Sequence, residues 1–414
     1  MLLDISRLIW SARRTAPSGI DRVELAYAQH FLAADTPRPA HAVVHLMGSL
    51  FGVSPAVAQR FVAGVAARWQ GDSNSRRRPG FLAVYLPLVH GSWRAGFLLR
   101  RRLKPHREPP IFVVVSHHHL SLDYTIRKIR RSFGARFVCM LHDLIPITYP
   151  EYVRPNRRWR HWRAMRTITR FFDAVIVNSR TTGDEFRHFV QSEFGPGTRV
   201  PSIHVALPGV RAFPHPGVAP KLAGAPESVP YFVVLGTIEP KKNHLLLLNL
   251  WTRLAATMER PPRLLVIGAR GWENEQVVDM LERSHRLRGL VEEMNHLGDA
   301  GVGRLLGQAR AVLVPSLIEG FGLPLAEALA SGVPVICSDI PAFREVGRGV
   351  PDYLDPLDLL AWRDAVIDYS GADSARRAAQ VERLADWHAP QWHAHFEIVE
   401  RALDEVAASP ALTA

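Results

Sequence analysis

Short, nearly uninterrupted apolar runs recur along this chain with helical stretches between them, and that alternation constrains the fold more than any other feature. In the second half the runs fall at 231–235 (YFVVL), 264–267 (LLVI), 311–314 (AVLV) and 335–336 (VI). In the first half they fall at 111–115 (IFVVV), 137–141 (FVCML) and 174–177 (AVIV), with an earlier strand around residues 2–6. Runs of this kind suit strands buried on both faces, as in parallel sheets covered by helices. At 414 residues the chain exceeds one ordinary core, so two doubly wound domains are expected. Turn formers at Leu207-Pro208-Gly209 and Pro214-His215-Pro216-Gly217, running on to Pro230, mark a linker. The expected division is a first domain at 1–208, a linker at 209–229, a second domain at 230–387 and a helical segment at 388–414. That last segment carries Trp392, Phe396, Val399 and Leu403 on one face and is expected to pack back toward the first domain. Residues 71–80 read as a loop and 408–414 as a frayed end. In such folds a ligand sits outside the carboxyl ends of the strands, here in a cleft between the domains.

The charge is divided as sharply as the strands. Residues 1–200 carry 31 Lys and Arg against 13 Asp and Glu, whereas 201–414 carry 20 against 26. A basic first half could face nucleic acid, anionic headgroups or a phosphorylated substrate, or be a solvated surface with no partner. Cys139 and Cys337 each lie in an apolar run and read as buried free thiols of a reducing compartment. The start lacks the pattern of a secretory signal and no run approaches ~18 apolar residues, so the expected location is cytoplasmic.

Four constellations carry chemistry. In 315–336 (PSLIEGFGLPLAEALASGVPVI) a strand leads into a glycine-containing loop, a helix, a Gly-Val-Pro turn and a second strand. Gly320 and Gly322 let backbone approach a ligand closely, and the amides of Phe321 and Leu323 near the helix start favour an anionic diphosphate. Glu319 in the loop and Glu327 in the helix can then take different parts of one ligand; an ordinary helix with two incidental carboxylates is the competing reading. In 234–244 (VLGTIEPKKNH) Gly236 and Thr237 follow a strand, and Lys241 and Lys242 stand where a cation would neutralise diphosphate charge. His142, in 139–146 (CMLHDLIP), ends a strand and either faces the ligand or is a core histidine held by Asp143. Gly19, in 15–24 (TAPSGIDRVE), opens a helix after the first strand, or simply makes a turn.

The segment at 319–327 resembles the E-x7-E motif of retaining glycosyltransferases of family 4, which have the GT-B fold: two Rossmann-like, doubly wound parallel-sheet domains facing a cleft. The resemblance implies that Glu319 contacts the donor hexose and Glu327 the ribose hydroxyls, with residues 320–323 meeting the diphosphate. The stretch at 236–243 is similar to the family's G-x-x-E-P-R-K-N donor loop, with Lys242 at its Lys and Lys241 at its usual Arg; Thr237 stands where some members carry a further Arg. The G-T-I-E-P form is similar to that of bacterial O-antigen and exopolysaccharide mannosyltransferases. By the same resemblance His142 in H-D-L-x-P orients the transferred sugar, and Gly19 belongs to a turn facing the donor phosphate, with Ser18 in place of a frequent second glycine.

What this implies is hexosyl transfer, with mannose from GDP-mannose expected and UDP-sugar or GDP-fucose donors as alternatives, onto a glycan or lipid-linked acceptor in surface polysaccharide synthesis. No cofactor and no metal are expected, and His117-His118-His119 reads as acceptor-side loop histidines, since adjacent residues on an extended chain point to alternate sides. The Arg-rich, aromatic stretch 154–172 reads as a face toward an anionic membrane, or as a packed Trp159, Trp162, Met165 face with Arg outside. A glycosidase fits poorly, because the two carboxylates lie in a phosphate-binding context. A non-catalytic nucleic-acid-binding protein is the reading from another class, and it suffers because the best motifs lie in the half that is not basic.

Overall fold

The computed structural model describes residues 1–14, 17–46, 49–70, 109–117, 119–213, 229–295 and 297–409. The expected loop at 71–80, most of the expected linker, His118 and the last five residues lie outside that set. The described chain divides into two compact units, Met1–Thr148 with Asn156–Pro208 and Gln391–Ala414, and Tyr149–Pro155 with Gly209–Pro390.

The first unit is built on seven strands: β1 (Leu2–Asp4), β2 (His41–Leu46), β3 (Ser49–Gly52), β4 (Ile111–Val114), β5 (Arg136–Leu141), β6 (Ala174–Val177) and β7 (Ser202–Val205). Their order is β3-β2-β1-β4-β5-β6-β7, parallel except for the β2–β3 pair. One core face joins Leu3, Val113 and Ile176 to the helix Gly19–Leu32; the other joins Phe137, Cys139 and Val175 to Ile126, Met165 and Phe186 from three helices. Burial on both faces is why the strand runs are apolar at every position.

The helix Trp392–Ala408 completes this unit, with Phe396, Val399, Ala402, Leu403 and Val406 buried in its first core. His395 anchors it, bonding Tyr27 Oη at 3.0 Å and the Ala206 carbonyl at 3.1 Å.

The second unit holds six parallel strands: β8 (Tyr231–Leu235), β9 (Arg263–Ile267), β10 (Val291–Met294), β11 (Val312–Val314), β12 (Val335–Ser338) and β13 (Asp352–Leu354), in the order β10-β9-β8-β11-β12-β13. Trp251 and Trp362, both fully buried, fill its core beside Phe232 and Leu264.

The boundaries need two corrections. Residues 149–155, expected in the first domain, belong to the second unit, where the Arg154 guanidinium lies 5.4 Å from the Trp272 ring centre. Residues 209–213, expected in the linker, are also part of that unit: Val210 N–H donates to Pro390 O and Phe213 N–H to Ser331 Oγ.

Candidate functional site

In the second sheet the chain runs from β8 outward to β10 on one side and from β11 outward to β13 on the other. The loops after β8 and β11 therefore leave in opposite directions from neighbouring strands, which is where open α/β sheets form a ligand crevice. Both donor motifs fall on those two loops.

Gly236 closes β8 with φ +130°, a left-handed value that favours glycine, and a Cβ there would lie 3.5 Å from Lys242 Cε. Opposite it, a Cβ on Gly268 would stand 1.9 Å from the Gly236 carbonyl oxygen, so only glycine fits that approach. A one-turn 3-10 helix, Pro240–Lys242, raises both lysines, and Asn243 in the left-handed conformation turns the chain into the helix His244–Thr257. The Leu317 N–H donates to the Lys241 carbonyl at 2.8 Å and ties the two loops together.

Glu319 is where the loops meet chemically. Its carboxylate is bonded by Lys241 at 3.2 Å, by Lys242, and by Ser316 Oγ at 3.1 Å, and only 8% of the residue is exposed. Glu239 adds a second carboxylate 3.8 Å from Lys241. Burial alone would raise the Glu319 carboxyl, but the two ammonium charges and their hydrogen bonds outweigh it and pull it down to about 2. Glu319 is thus ionised across the physiological range and cannot serve as a proton donor.

Gly322 caps the helix Leu323–Ala330 with φ +97°, and Pro324 occupies its first turn. A Cβ on Gly322 would press into the Phe343 ring at 2.6 Å, so the loop 320–322 is held against that ring by the lack of a side chain. Phe321 is buried, while Gly320, Leu323 and Glu327 are half-buried. Thr237 packs where a Cβ on Gly271 would meet its methyl at 2.8 Å.

The two remaining expected residues lie in the first unit. His142 is 5% exposed and its Nε2 lies 2.7 Å from the Val115 carbonyl. Burial lowers its pKa to about 4, against smaller opposing effects of that bond and Asp143, so the ring is neutral. Gly19 opens its helix behind Ser18, whose hydroxyl accepts from Asp21 N–H while the Asp21 carboxylate accepts from Ser18 N–H. Arg7 and Arg14 both hold Asp21 at 2.9 Å. This capping box, and not a second glycine, shapes the turn.

The structure thus joins Gly236, Lys241, Lys242, Glu319 and the 320–323 loop in one unit, with His142 and Gly19 in the other. Sequence reasoning missed Ser316 and Glu239 as neighbours of the pair, although both lie inside the quoted motifs. It also missed His161, whose Nε2 reaches the Asp143 carbonyl at 3.0 Å. That contact spans 18 residues, and no local pattern announces it.

Two family models match this chain: Glycosyltransferase Family 4 over residues 48–201 and Glycosyl transferases group 1 over residues 220–348. A serotype-specific mannosyltransferase, WbdA, of Escherichia coli is 24% identical over 360 residues, covering 84% of this chain and 38% of the relative. O-antigen chain mannosyltransferase B of E. coli is 33% identical over 162 residues, 39% of this chain and 42% of the relative. The chain therefore spans about two fifths of the length of these relatives. Among solved structures, sucrose-phosphate synthase from Thermosynechococcus elongatus matches 99% of both chains at 15% identity and a TM-score of 0.63. That likeness shows the fold, two Rossmann-like domains of the GT-B type.

Proposed function

The chain is a glycosyltransferase of the family 4 type, similar to bacterial mannosyltransferases, and from that premise we propose that it moves a hexose, mannose from GDP-mannose, onto a glycan or lipid-linked saccharide with retention of anomeric configuration. One observation carries this reading: a buried carboxylate held ionised by two lysines on the loops of a strand-order switch point. A nucleoside diphosphate leaves with added negative charge on its terminal phosphate. Lys241 and Lys242 are the cations to meet it, and fixed cations in a sheltered site stabilise a transition state more than a ground state. While no donor is bound, Glu319 keeps both ammonium groups in place and neutralised. With donor bound, the lysines turn to the diphosphate and Glu319 accepts hydrogen bonds from sugar hydroxyls. In the transfer the C1–O bond to the diphosphate breaks as the acceptor oxygen bonds C1, and the acceptor proton passes to the departing phosphate oxygen. No protein nucleophile is needed, in keeping with a carboxylate whose charge is already engaged.

The basic helix Arg157–Phe171 supports peripheral contact with an anionic membrane. Its first turn is exposed, it holds no acidic residue, and Trp159, 60% exposed, stacks on Trp162 at 5.1 Å. Cations at a helix N-terminus oppose the dipole, so this placement is not explained by helix stability. Among the described residues no helix is long and apolar enough to cross a membrane.

The test is a thermal-shift panel of GDP-mannose, GDP-fucose and UDP-sugars, followed by NMR of the product's anomeric carbon. Stabilisation by GDP-mannose with an α-linked product is expected, since a ligand that binds only the folded state raises apparent stability. Preference for a uridine donor, or an inverted product, overturns the corresponding part of the reading.

A further inference from the structure

In the first unit three imidazoles gather at the carboxyl ends of β4 and β5. His117 follows β4, His142 follows β5 and His161 comes from the helix Arg157–Phe171; the His117 ring centre lies 4.9 Å from that of His161 and 5.7 Å from that of His142. Each ring has one nitrogen committed to a backbone group. His142 Nε2 meets Val115 O at 2.7 Å and His161 Nε2 meets Asp143 O at 3.0 Å, while the His117 ring bonds the Met140 backbone. A carbonyl only accepts, so those nitrogens carry the proton and the tautomers of His142 and His161 are fixed.

Burial disfavours the charged form of all three rings. In a neutral imidazole the second nitrogen is an acceptor without a proton. His117 Nε2 is buried with no hydrogen-bond partner among the described residues, and no donor among them reaches Nδ1 of His142 or His161. Three such lone pairs cannot satisfy one another, and an acceptor left unpaired when buried costs about 1–3 kcal/mol. The nearby cation, Arg7, is already engaged by Asp21 at 2.9 Å and Glu24 at 3.5 Å. What the cluster lacks is hydrogen-bond donors, and an anion supplies none.

We propose that His117 and His161 act with His142 as the hydroxyl-binding residues of the acceptor subsite, and that the acceptor presents a neutral, polyhydroxylated sugar terminus, not a phosphate or carboxylate. This rests on the transfer reading above. Each ring nitrogen accepts one O–H of that terminus, which positions the attacking oxygen without titrating any ring.

The experiment uses the whole chain with methyl α-mannoside, mannose 6-phosphate and zinc chloride as probes, and GDP-mannose as a separate control. Binding of methyl α-mannoside is expected to weaken about tenfold in His117→Phe and His161→Phe, the loss of roughly one hydrogen bond to a buried acceptor. His117→Gln, whose amide oxygen still accepts, is expected to recover most of it. Should a Phe variant fail to fold, 15N-histidine spectra of the unaltered chain answer instead: the unprotonated ring nitrogens shift on adding methyl α-mannoside. Undiminished binding in both Phe variants, preference for mannose 6-phosphate, tight zinc binding that displaces the sugar, or unmoved ring nitrogens overturns the inference. Donor stabilisation that persists while the sugar fails to bind overturns this subsite alone; absence of donor stabilisation as well removes the transfer reading beneath it.

Discussion

The Leu317 N–H donates to the Lys241 carbonyl at 2.8 Å, and this one bond couples the strand-end loop that carries the lysines to the loop that carries Glu319. The lysine pair and the carboxylate are therefore set relative to each other by backbone as well as by charge. Side chains placed in this way lose little further entropy when they meet.

Glu319→Gln keeps the shape of the side chain and removes its charge. Turnover is expected to fall about 10²-fold or more, because the lysines lose their orienting partner and the sugar its strongest acceptor. Stability is expected to change its acid dependence as well. The folded carboxyl titrates at about 2, below its unfolded value near 4.5, so its contribution is complete above the unfolded value and is lost as pH falls from there through 2. That difference amounts to roughly 3 kcal/mol. Urea unfolding between pH 5 and 3 should show a flatter pH dependence in the variant; an unchanged dependence contradicts the ion-pair geometry.

Gly322 and Gly332 both have positive φ, yet only Gly322 faces an aromatic ring. Gly332→Ala meets nothing within 4 Å and should cost about 1 kcal/mol from backbone strain. Gly322→Ala drives a methyl into Phe343 and should cost a further ~1–3 kcal/mol, with weaker donor binding because the loop is displaced. Denaturant midpoints of the two variants give the comparison, and equal losses would contradict it.

His244 opens its helix on the same face as the buried Leu247, Leu248 and Trp251, and neither ring nitrogen has a partner among the described residues. Burial, then the charge of Lys242, lowers its pKa to about 4. Between about 6.5 and 4 the unfolded chain binds the extra proton, so this residue's contribution is greatest above that window and is lost as pH falls through it. His244→Leu is expected to match or exceed the parent in stability at pH 7 and to lose less on acidification to pH 5. A loss above ~2 kcal/mol at pH 7 would mean the ring has a partner worth keeping.

Trp159→Ala combined with Arg158→Glu and Arg160→Glu leaves the buried Ala164, Met165 and Ile168 face of the helix untouched. Co-sedimentation with vesicles of phosphatidylglycerol should drop sharply, while GDP-mannose turnover on a water-soluble acceptor stays within about twofold, because each basic residue near an anionic surface is worth about 1 kcal/mol. Undiminished sedimentation places the contact elsewhere.

The interior strands of both sheets are legible in the sequence because burial on both faces leaves no polar position. Edge strands are not: β10 is Val-Glu-Glu-Met, with every residue half-buried, and its carboxylates serve ion pairs from Arg263 and Arg270. The donor loops are legible because glycines at 236 and 322 answer local backbone demands that show in composition. That Lys241 and Lys242 close on Glu319, 77 and 78 residues away, follows only from the strand order. The three-histidine cluster is harder still, since His161 lies in a helix whose Arg and Trp residues suggest a surface and nothing else.

Calorimetric titration of GDP-mannose into the chain and into Lys242→Met, alongside single-turnover mannose release, tests the central claim most directly. The account predicts measurable binding by the parent, binding weakened by the lost charge in the variant, and release slowed about 10²-fold or more. A variant that binds and turns over GDP-mannose as the parent does would contradict it.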